Sequence, residues 1–530
     1  MGFLLWSAIA LVLYAIYKFV TLNNDYFQKR GIAHMKPTFF LGNMGPFLLR
    51  LQTPYEFANT MYRMFPRQKI IGMFDMRKPT YCLRDPELLK QLAVKDFEHF
   101  EDHRSFVDET VDAMFGNSLI MLKGSKWRDM RATLSPAFTG SKMRQMFELV
   151  AECADEMSAT LKKKASSNGG GNVDCEMKEL FSKYTNDVIS SAAFGYKVNS
   201  FEDPNNDFYL AGKKFMEFNT PLAGLKFLLM QVLPRVARLL DINFTDSKVM
   251  NFFRSMVLGN IETRTKKGLF RPDMINILMN VKRGKSNDSN TVEETNAEGF
   301  ATVQESTIGN KVVKRVWTDD ELVAQCFIFF LAGFDTSSTL LSFLTHELTV
   351  NADIQQKLYD EVQQTFESLN GERLTYDVLQ KMKYMDACIS EALRYWPPAA
   401  MTDRLCVKDY NYDDGLVDFK IEKGKFLFIP IYGLHHDERY WKNPDVFDTE
   451  RFSDENKHTI NTGAYIPFGL GPRNCIGSRF ALMEAKAVIF YLLLNFKFEP
   501  NDQTQIPLKL KKAPFLISEK GVNIQLKLRK

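Results

Sequence analysis

The chain has 530 residues, 45% of them hydrophobic and 25% charged, with 44 phenylalanines; this is ample core material and excludes a disordered or collagen-like chain. Lys and Arg number 68 against 64 Asp and Glu, and a net charge of +4 is too small a bias to argue for a nucleic-acid partner. The seven cysteines, at 82, 153, 175, 326, 388, 406 and 475, are scattered and contain no CxxC pair. Neither a disulfide scaffold nor a zinc finger is implied, and a reducing compartment fits.

The first element is the apolar stretch Phe3 to Val20, whose single charge, Lys18, lies near its end. As a helix it would reach about 27 Å, enough to span a thin bilayer core. No basic residue precedes it, whereas Lys18, Lys29 and Arg30 follow, which puts the rest of the chain in the cytosol. The uncharged start and the lack of an A-x-A-like site favour an anchor over a cleaved signal peptide. On that side of the membrane the sequons at Asn243 and Asn287 are chance matches. The expected organisation is an anchor over 1–22, a basic linker over 23–50 and one globular body over 51–530.

Alternation over 69–84 around Asp75 to Pro79 predicts a hairpin, and Asp85-Pro86 the cap and first position of a helix. Apolar residues recur at helical spacing from about 127 to 260. Within this region Leu222 to Leu233, between Pro221 and Pro234, is apolar enough for a second, interfacial membrane contact; an ordinary buried helix is the alternative. Residues 282–315 are polar and read as an exposed, flexible insertion. Thr318-Asp319-Asp320-Glu321 is a capping-box pattern opening a helix without a strong stop until about Asn351. Such a helix is about 50 Å long, and its middle, Cys326 to Ala332, is apolar almost all round, so it must cross the interior. Another helix ends at Pro397-Pro398, and strands are suggested near 426–430 and 522–528. The fold class expected is mainly α with a smaller β part.

Residues 467–477 read Pro-Phe-Gly-Leu-Gly-Pro-Arg-Asn-Cys-Ile-Gly, ahead of an apolar helix beginning near Arg479. A thiolate at a helix entrance gains from the helix dipole and from unpaired N–H groups, which depress its pKa and suit it to be an axial metal ligand. Gly469 and Gly471 permit the tight turn, and Phe468 can shield the sulfur from water. A lone cysteine in a glycine-rich loop is more often structural, but the full spacing F-x-x-G-x-R-x-C-x-G removes that default.

On this motif the chain, from about Lys36 to the C-terminus, resembles the cytochrome P450 haem-thiolate monooxygenases, and specifically the microsomal detoxification-type enzymes of insects. The resemblance implies the fold of that family and haem b (iron protoporphyrin IX), with Cys475 as proximal ligand, thiolate donation favouring O–O cleavage, and Gly477 closing the cofactor loop. Glu391 and Arg394, at i and i+3, resemble the family's ExxR pair, locked to Arg451 within Phe447–Phe452, a stretch that has Thr449 where proline is usual. Taken alone they would be a solvated ion pair; with the cysteine motif they read as structural support for the cofactor core. Ala332-Gly333-Phe334-Asp335-Thr336-Ser337 matches the family's oxygen-binding segment. Asp335 and Thr336 would deliver protons to reduced oxygen, Gly333, at a cost of about 1 kcal/mol relative to alanine, would leave room for dioxygen, and back-bonding of Thr336 and Ser337 is the simpler role. Trp127, Arg131, Arg404 and Arg473 are implied as partners of the haem propionates.

One and two turns before Thr336 stand Ala332 and Ile328, with Leu331 beside them. With Ala399 and Ala400 after the ExxR helix, and Phe106 and Phe115, they are expected to line an apolar substrate pocket, core packing being the alternative. No G-x-G-x-x-G or Walker pattern is present, so the reductant must bind on another protein. The resemblance implies an NADPH-cytochrome reductase, a membrane-bound flavoprotein, with cytochrome b5 as an optional helper. Lys126, Arg128, Lys142 and Arg144 could form its docking patch or be an ordinary solvated face. The implied activity is insertion of one oxygen atom from O2 into lipophilic molecules (xenobiotics, insecticides, plant toxins or endogenous lipids) at the cytosolic face of the endoplasmic reticulum membrane. A haem-thiolate isomerase or dehydratase needing no reductase is a rival that Asp335-Thr336 argues against; a haem carrier or sensor is another. The absence of G-x-S-x-G and HExxH disposes of a lipase or zinc protease.

Overall fold

The computed structural model describes residues 2–105, 107, 112–216, 226, 229–230, 234–240, 242–243, 245–271, 273–282, 299–310, 313, 315–415 and 417–529. The first helix, Gly2–Thr21, leaves only Val20 buried, and it meets the rest of the described chain near its end, where Tyr17 stacks on Phe39 and Arg77 lies over the Phe19 ring. Among the described residues it and Asp319–Val350 are the two helices long and apolar enough to cross a membrane; the second is mostly buried and is a core element.

Residues 23–50, expected to be a linker, belong to the body. Phe27 is fully buried and packs edge-on against Phe74 and Tyr81 with ring centroids 5.3 and 5.2 Å apart. A side chain at Gly72 would collide with its ring. The hairpin predicted over 69–84 forms as Ile70–Asp75 and Lys78–Leu83, paired antiparallel. It joins Phe426–Ile429, parallel to the second strand, and then Thr402–Leu405, in a four-stranded sheet. Both sheet faces are covered, which is why every residue of the hairpin's two strands but Lys78 is buried. Ile70, Phe74, Tyr81 and Leu83 pack with Phe27 on one side, and Ile71, Met73 and Cys82 with Phe57 and Met61 of helix Pro54–Arg63 on the other.

Asp85 caps the next helix by accepting from the Leu88 amide, with Pro86 in the first turn. The capping box at Thr318 is complete, and its helix runs from Asp319 to Val350 through the main core. The expected C-terminal strand, Asn523–Leu528, is the middle of a three-stranded sheet between Phe496–Glu499 and Asn172–Glu176. That last strand lies within the region read as helical. Residues 299–310 depart from the exposed loop expected over 282–315: Ala301 is buried, and the Phe300 ring lies 5.2 Å from Phe452 and 5.4 Å from Tyr465. Phe106 and most of 222–233 fall outside the described residues.

Phe27→Ala is expected to destabilise the body by about 3–5 kcal/mol, the usual cost of emptying a buried phenylalanine site, measured by denaturant unfolding. Removing residues 1–22 should change that stability far less, since Val20 is the one buried residue of the first helix.

Candidate active site

The Cys475 loop is set by two glycines in the left-handed region, Gly469 (φ 79°) and Gly471 (φ 73°). At Gly471 a Cβ would run into the Ala93 carbonyl, so the loop lies against the helical turn Gln91–Lys95 with no space for a side chain. The Cys475 amide donates to the Phe468 carbonyl at 2.8 Å and closes the loop. Gly477 then stands at the cap of helix Ser478–Asn495. Among the seven cysteines, all within the described residues, Cys475 alone is exposed. Protein nevertheless surrounds it, so its sulfur faces an internal space. Burial pushes the thiol up, against the Gly477 amide and the Arg131 guanidinium, which both pull it down. The helix entrance therefore does not by itself yield the depressed thiol expected from sequence; a metal cation on the sulfur would supply the missing stabilisation of the thiolate.

The central helix carries a matching accessible face. Ala332 and Thr336 are exposed and Ile328 half-buried, at four-residue spacing, within a helix otherwise almost wholly buried. The Phe138 ring touches both walls: its centroid lies 5.3 Å from that of Phe329, and its edge is 3.8 Å from where a Gly477 Cβ would stand. Phe138 thus bridges the central helix and the start of the helix that follows Cys475. The Thr336 hydroxyl donates to the Ala332 carbonyl at 2.6 Å, the back-bond foreseen for it. Asp335 points elsewhere and is held by Lys178 of helix Met177–Ala192 at 2.8 Å; the same ammonium reaches the Ser338 and Thr339 hydroxyls. Gly333 faces Ile189, whose Cδ1 would lie 3.2 Å from an added Cβ, so close helix approach is the visible reason for the glycine.

Behind the stripe, Glu484 is buried and hydrogen-bonded to Ser337, and burial pushes its carboxyl up to about 8. Neither Lys178 nor Glu484 was foreseen. A charge in the apolar run Ala481–Leu494 was the available signal for Glu484, while Lys178 offered none.

The cationic groups divide into two sets. Arg473 is buried, stacks 3.9 Å from the Trp127 ring and bonds Asp102 at 3.1 Å and the Leu122 carbonyl at 2.8 Å. Arg404 donates to the Asp403 and Leu470 carbonyls, but its buried Nε finds no partner among the described residues. Burial pulls Arg404 down to about 10 and Arg473 to about 9, and the Arg404 charge adds to the second shift. Two buried, mutually repelling guanidiniums with an unmet donor fit an anionic group such as haem propionates. Arg131 instead spends its donors on Asn474 and Glu305.

Glu391 and Arg394 are both fully buried and joined by two bonds of 2.7 Å, so the solvated-pair alternative does not apply. Arg394 also holds the His435 and Pro444 carbonyls at 2.9 Å, and Arg451 approaches Glu391 at 3.5 Å. His435 accepts from the Ile466 amide at 2.9 Å, tying this helix to the cysteine loop; burial holds its imidazole down to about 3, so it is a neutral acceptor. Thr449, at the place of the usual proline, bonds the Tyr384 hydroxyl at 3.0 Å.

A Cytochrome P450 family profile matches residues 35–527. The chain belongs to the cytochrome P450 family. It is 42% identical to probable cytochrome P450 9f2 of Drosophila melanogaster over 98% of each chain. It is 43% identical to cytochrome P450 9e2 of Blattella germanica over 98% of this chain and 96% of that one. Cytochrome P450 6k1 of the same cockroach is 33% identical over 95% and 92%. The chain is accordingly an oxidoreductase of the monooxygenase class, and haem iron is the cofactor of its family.

Ala399 is exposed, but Ala400 is buried with Tyr55, Phe343 and Leu516, and Leu331 lies in the main core. Phe115 is buried and stacks on Phe215 with ring centroids 6.3 Å apart. The cations considered for docking are engaged within the chain: Lys126 with Glu321 at 2.9 Å, Arg128 with Glu101 at 2.7 Å, Arg144 with Asp377 at 3.0 Å and Lys142 with Gln145 at 3.1 Å.

The Glu484 carboxyl is protonated in the folded chain and ionised in the unfolded one between 4.5 and about 8. Its share of stability is full below that window and falls as pH rises through it. Glu484→Gln should flatten this loss in urea-unfolding midpoints measured across the window; parallel profiles for variant and wild type would contradict it.

Proposed function

We propose that this protein is a membrane-anchored haem-thiolate monooxygenase that inserts one oxygen atom from O2 into lipophilic molecules. In this reading electrons come from NADPH through a separate flavoprotein reductase, with cytochrome b5 as an optional second donor, at the cytosolic face of the endoplasmic reticulum. The observation that carries it is the exposed Cys475 thiol in its glycine-turned loop, together with the accessible Ile328–Ala332–Thr336 stripe of the central helix. Cys475 would ligate haem iron, and Trp127, Arg404 and Arg473 would hold the propionates. Haem bound there supplies dioxygen activation.

The chain's own residues supply orientation and protons. Ile328, Phe329 and Ala332 present apolar surface and no charge, which suits a lipophilic substrate. Thr336, bonded to the Ala332 carbonyl, keeps its oxygen lone pairs available to a proton donor. Asp335 is paired with Lys178 and passes a proton only when that pair opens. Glu484 carries a proton at neutral pH beside Ser337. The exposed apolar helix Gly2–Thr21 supports membrane attachment and access to lipid-dissolved compounds. Within the lipophiles, this reading takes xenobiotics, plant toxins, insecticides and endogenous lipids as the candidate substrates, as the resemblance in the sequence implies.

The test is turnover of varied lipophiles with NADPH and a microsomal reductase, following product, NADPH and peroxide together. Wild type should yield singly oxygenated product; product formed without NADPH or reductase would favour an isomerase. Thr336→Ala should retain its haem, lose about tenfold or more of product per NADPH and release peroxide instead. Wild-type coupling in that variant would leave Thr336 a packing role.

A further inference from the structure

Residues 299–305, part of the stretch that reads in sequence as an exposed, flexible insertion, are clamped onto the residue preceding Cys475. At one end the Phe300 amide donates to Asp386 Oδ2 at 2.8 Å, and the buried Lys486 pairs with Asp386 at 3.0 Å. Further along, the Gln304 carbonyl accepts from Asn474 Nδ2 at 3.2 Å. The Glu305 carboxylate then takes two bonds from Arg131, from Nε at 3.1 Å and from Nη2 at 2.7 Å. Arg131 in turn donates to the Asn474 main-chain oxygen and to Asn474 Oδ1, both at 2.8 Å. Both polar ends of the Asn474 side chain and its carbonyl are thereby fixed, one residue from the sulfur.

The charges make this more than a surface contact. The Arg131 side chain is 3% exposed and that of Glu305 24% exposed, so the guanidinium is a buried cation whose counter-charge comes from this segment alone among the ion pairs described. A planar guanidinium shared between a carboxylate and a loop transmits orientation as well as charge. We propose that Glu305 is a positioning residue for the axial-ligand loop: by neutralising and orienting Arg131 it fixes Asn474, and with it the aim of Cys475 and the electrostatic field at the sulfur. The inference rests on Cys475 being the haem ligand.

The experiment uses the full-length, haem-loaded protein and its Glu305→Gln, Glu305→Ala and Glu305→Asp variants. Two quantities are read: the haem reduction potential, and the rate at which the thiolate-type band of the reduced carbon monoxide complex is lost in mild denaturant. Glu305→Gln leaves an uncompensated cation beside the thiolate and should move the potential positive. Glu305→Ala also frees Arg131 and should speed band loss about tenfold, as for other groups that orient a metal ligand. Glu305→Asp keeps the charge and should hold the potential near wild type. A normal wild-type band with unmoved potential and decay in the Gln and Ala variants overturns the proposal alone. A wild-type protein without the thiolate band overturns the ligand assignment and the proposal with it.

Discussion

A fully buried ion pair, Glu391 with Arg394, fixes the ground on which the cysteine loop stands. Burying two charges is costly unless every donor and acceptor is met, and here the remaining Arg394 donors are met by carbonyls at His435, Pro444 and Val446. Those carbonyls lie at the end of the short helix Ile431–His435 and in the irregular chain that follows it toward the cysteine loop. His435 returns the tie, contacting the Arg394 carbonyl through one ring nitrogen and accepting from the Ile466 amide through the other. Removing either charge would therefore loosen the approach to Cys475 as well as leave the other charge unpaired.

Above this support the polar groups are sorted by what they lack. Arg394 and Arg131 have their partners within the chain, whereas Arg404 keeps a buried Nε unmet beside a second buried cation. On the opposite wall, Lys178 takes Asp335 out of the accessible stripe and leaves Thr336 as its exposed hydroxyl. Sulfur and Arg473 thus come from one loop, Arg404 from a strand and the Thr336 hydroxyl from the central helix, each with its own internal fixing. A cofactor that contributes a metal and two carboxylates answers the unmet groups on the proximal side.

Local rules made much of this readable from sequence. The capping box at Thr318, the hairpin around Asp75 and the glycines flanking the cysteine loop act over a few residues, and each forms as the spacing implies. The i, i+3 spacing put Glu391 and Arg394 on one face, though only the fold shows that this face is sealed. What stayed hidden depends on partners distant in sequence. Lys178 meets Asp335 across 157 positions and Glu305 meets Arg131 across 174, and no periodicity encodes either pair. The linker reading of 23–50 failed for a similar reason: Phe27 fills the space over Gly72, and polar neighbours in sequence masked one decisive aromatic.

In the proposed function the chain presents a single cysteine, Cys475, to haem iron. That assignment is tested most directly by the absorption spectrum of the reduced carbon monoxide complex in Cys475→Ala, with Cys388→Ala as the buried-cysteine control. The account predicts loss of the thiolate-type band in the first variant and its retention in the second. A thiolate-type band surviving in Cys475→Ala would contradict it.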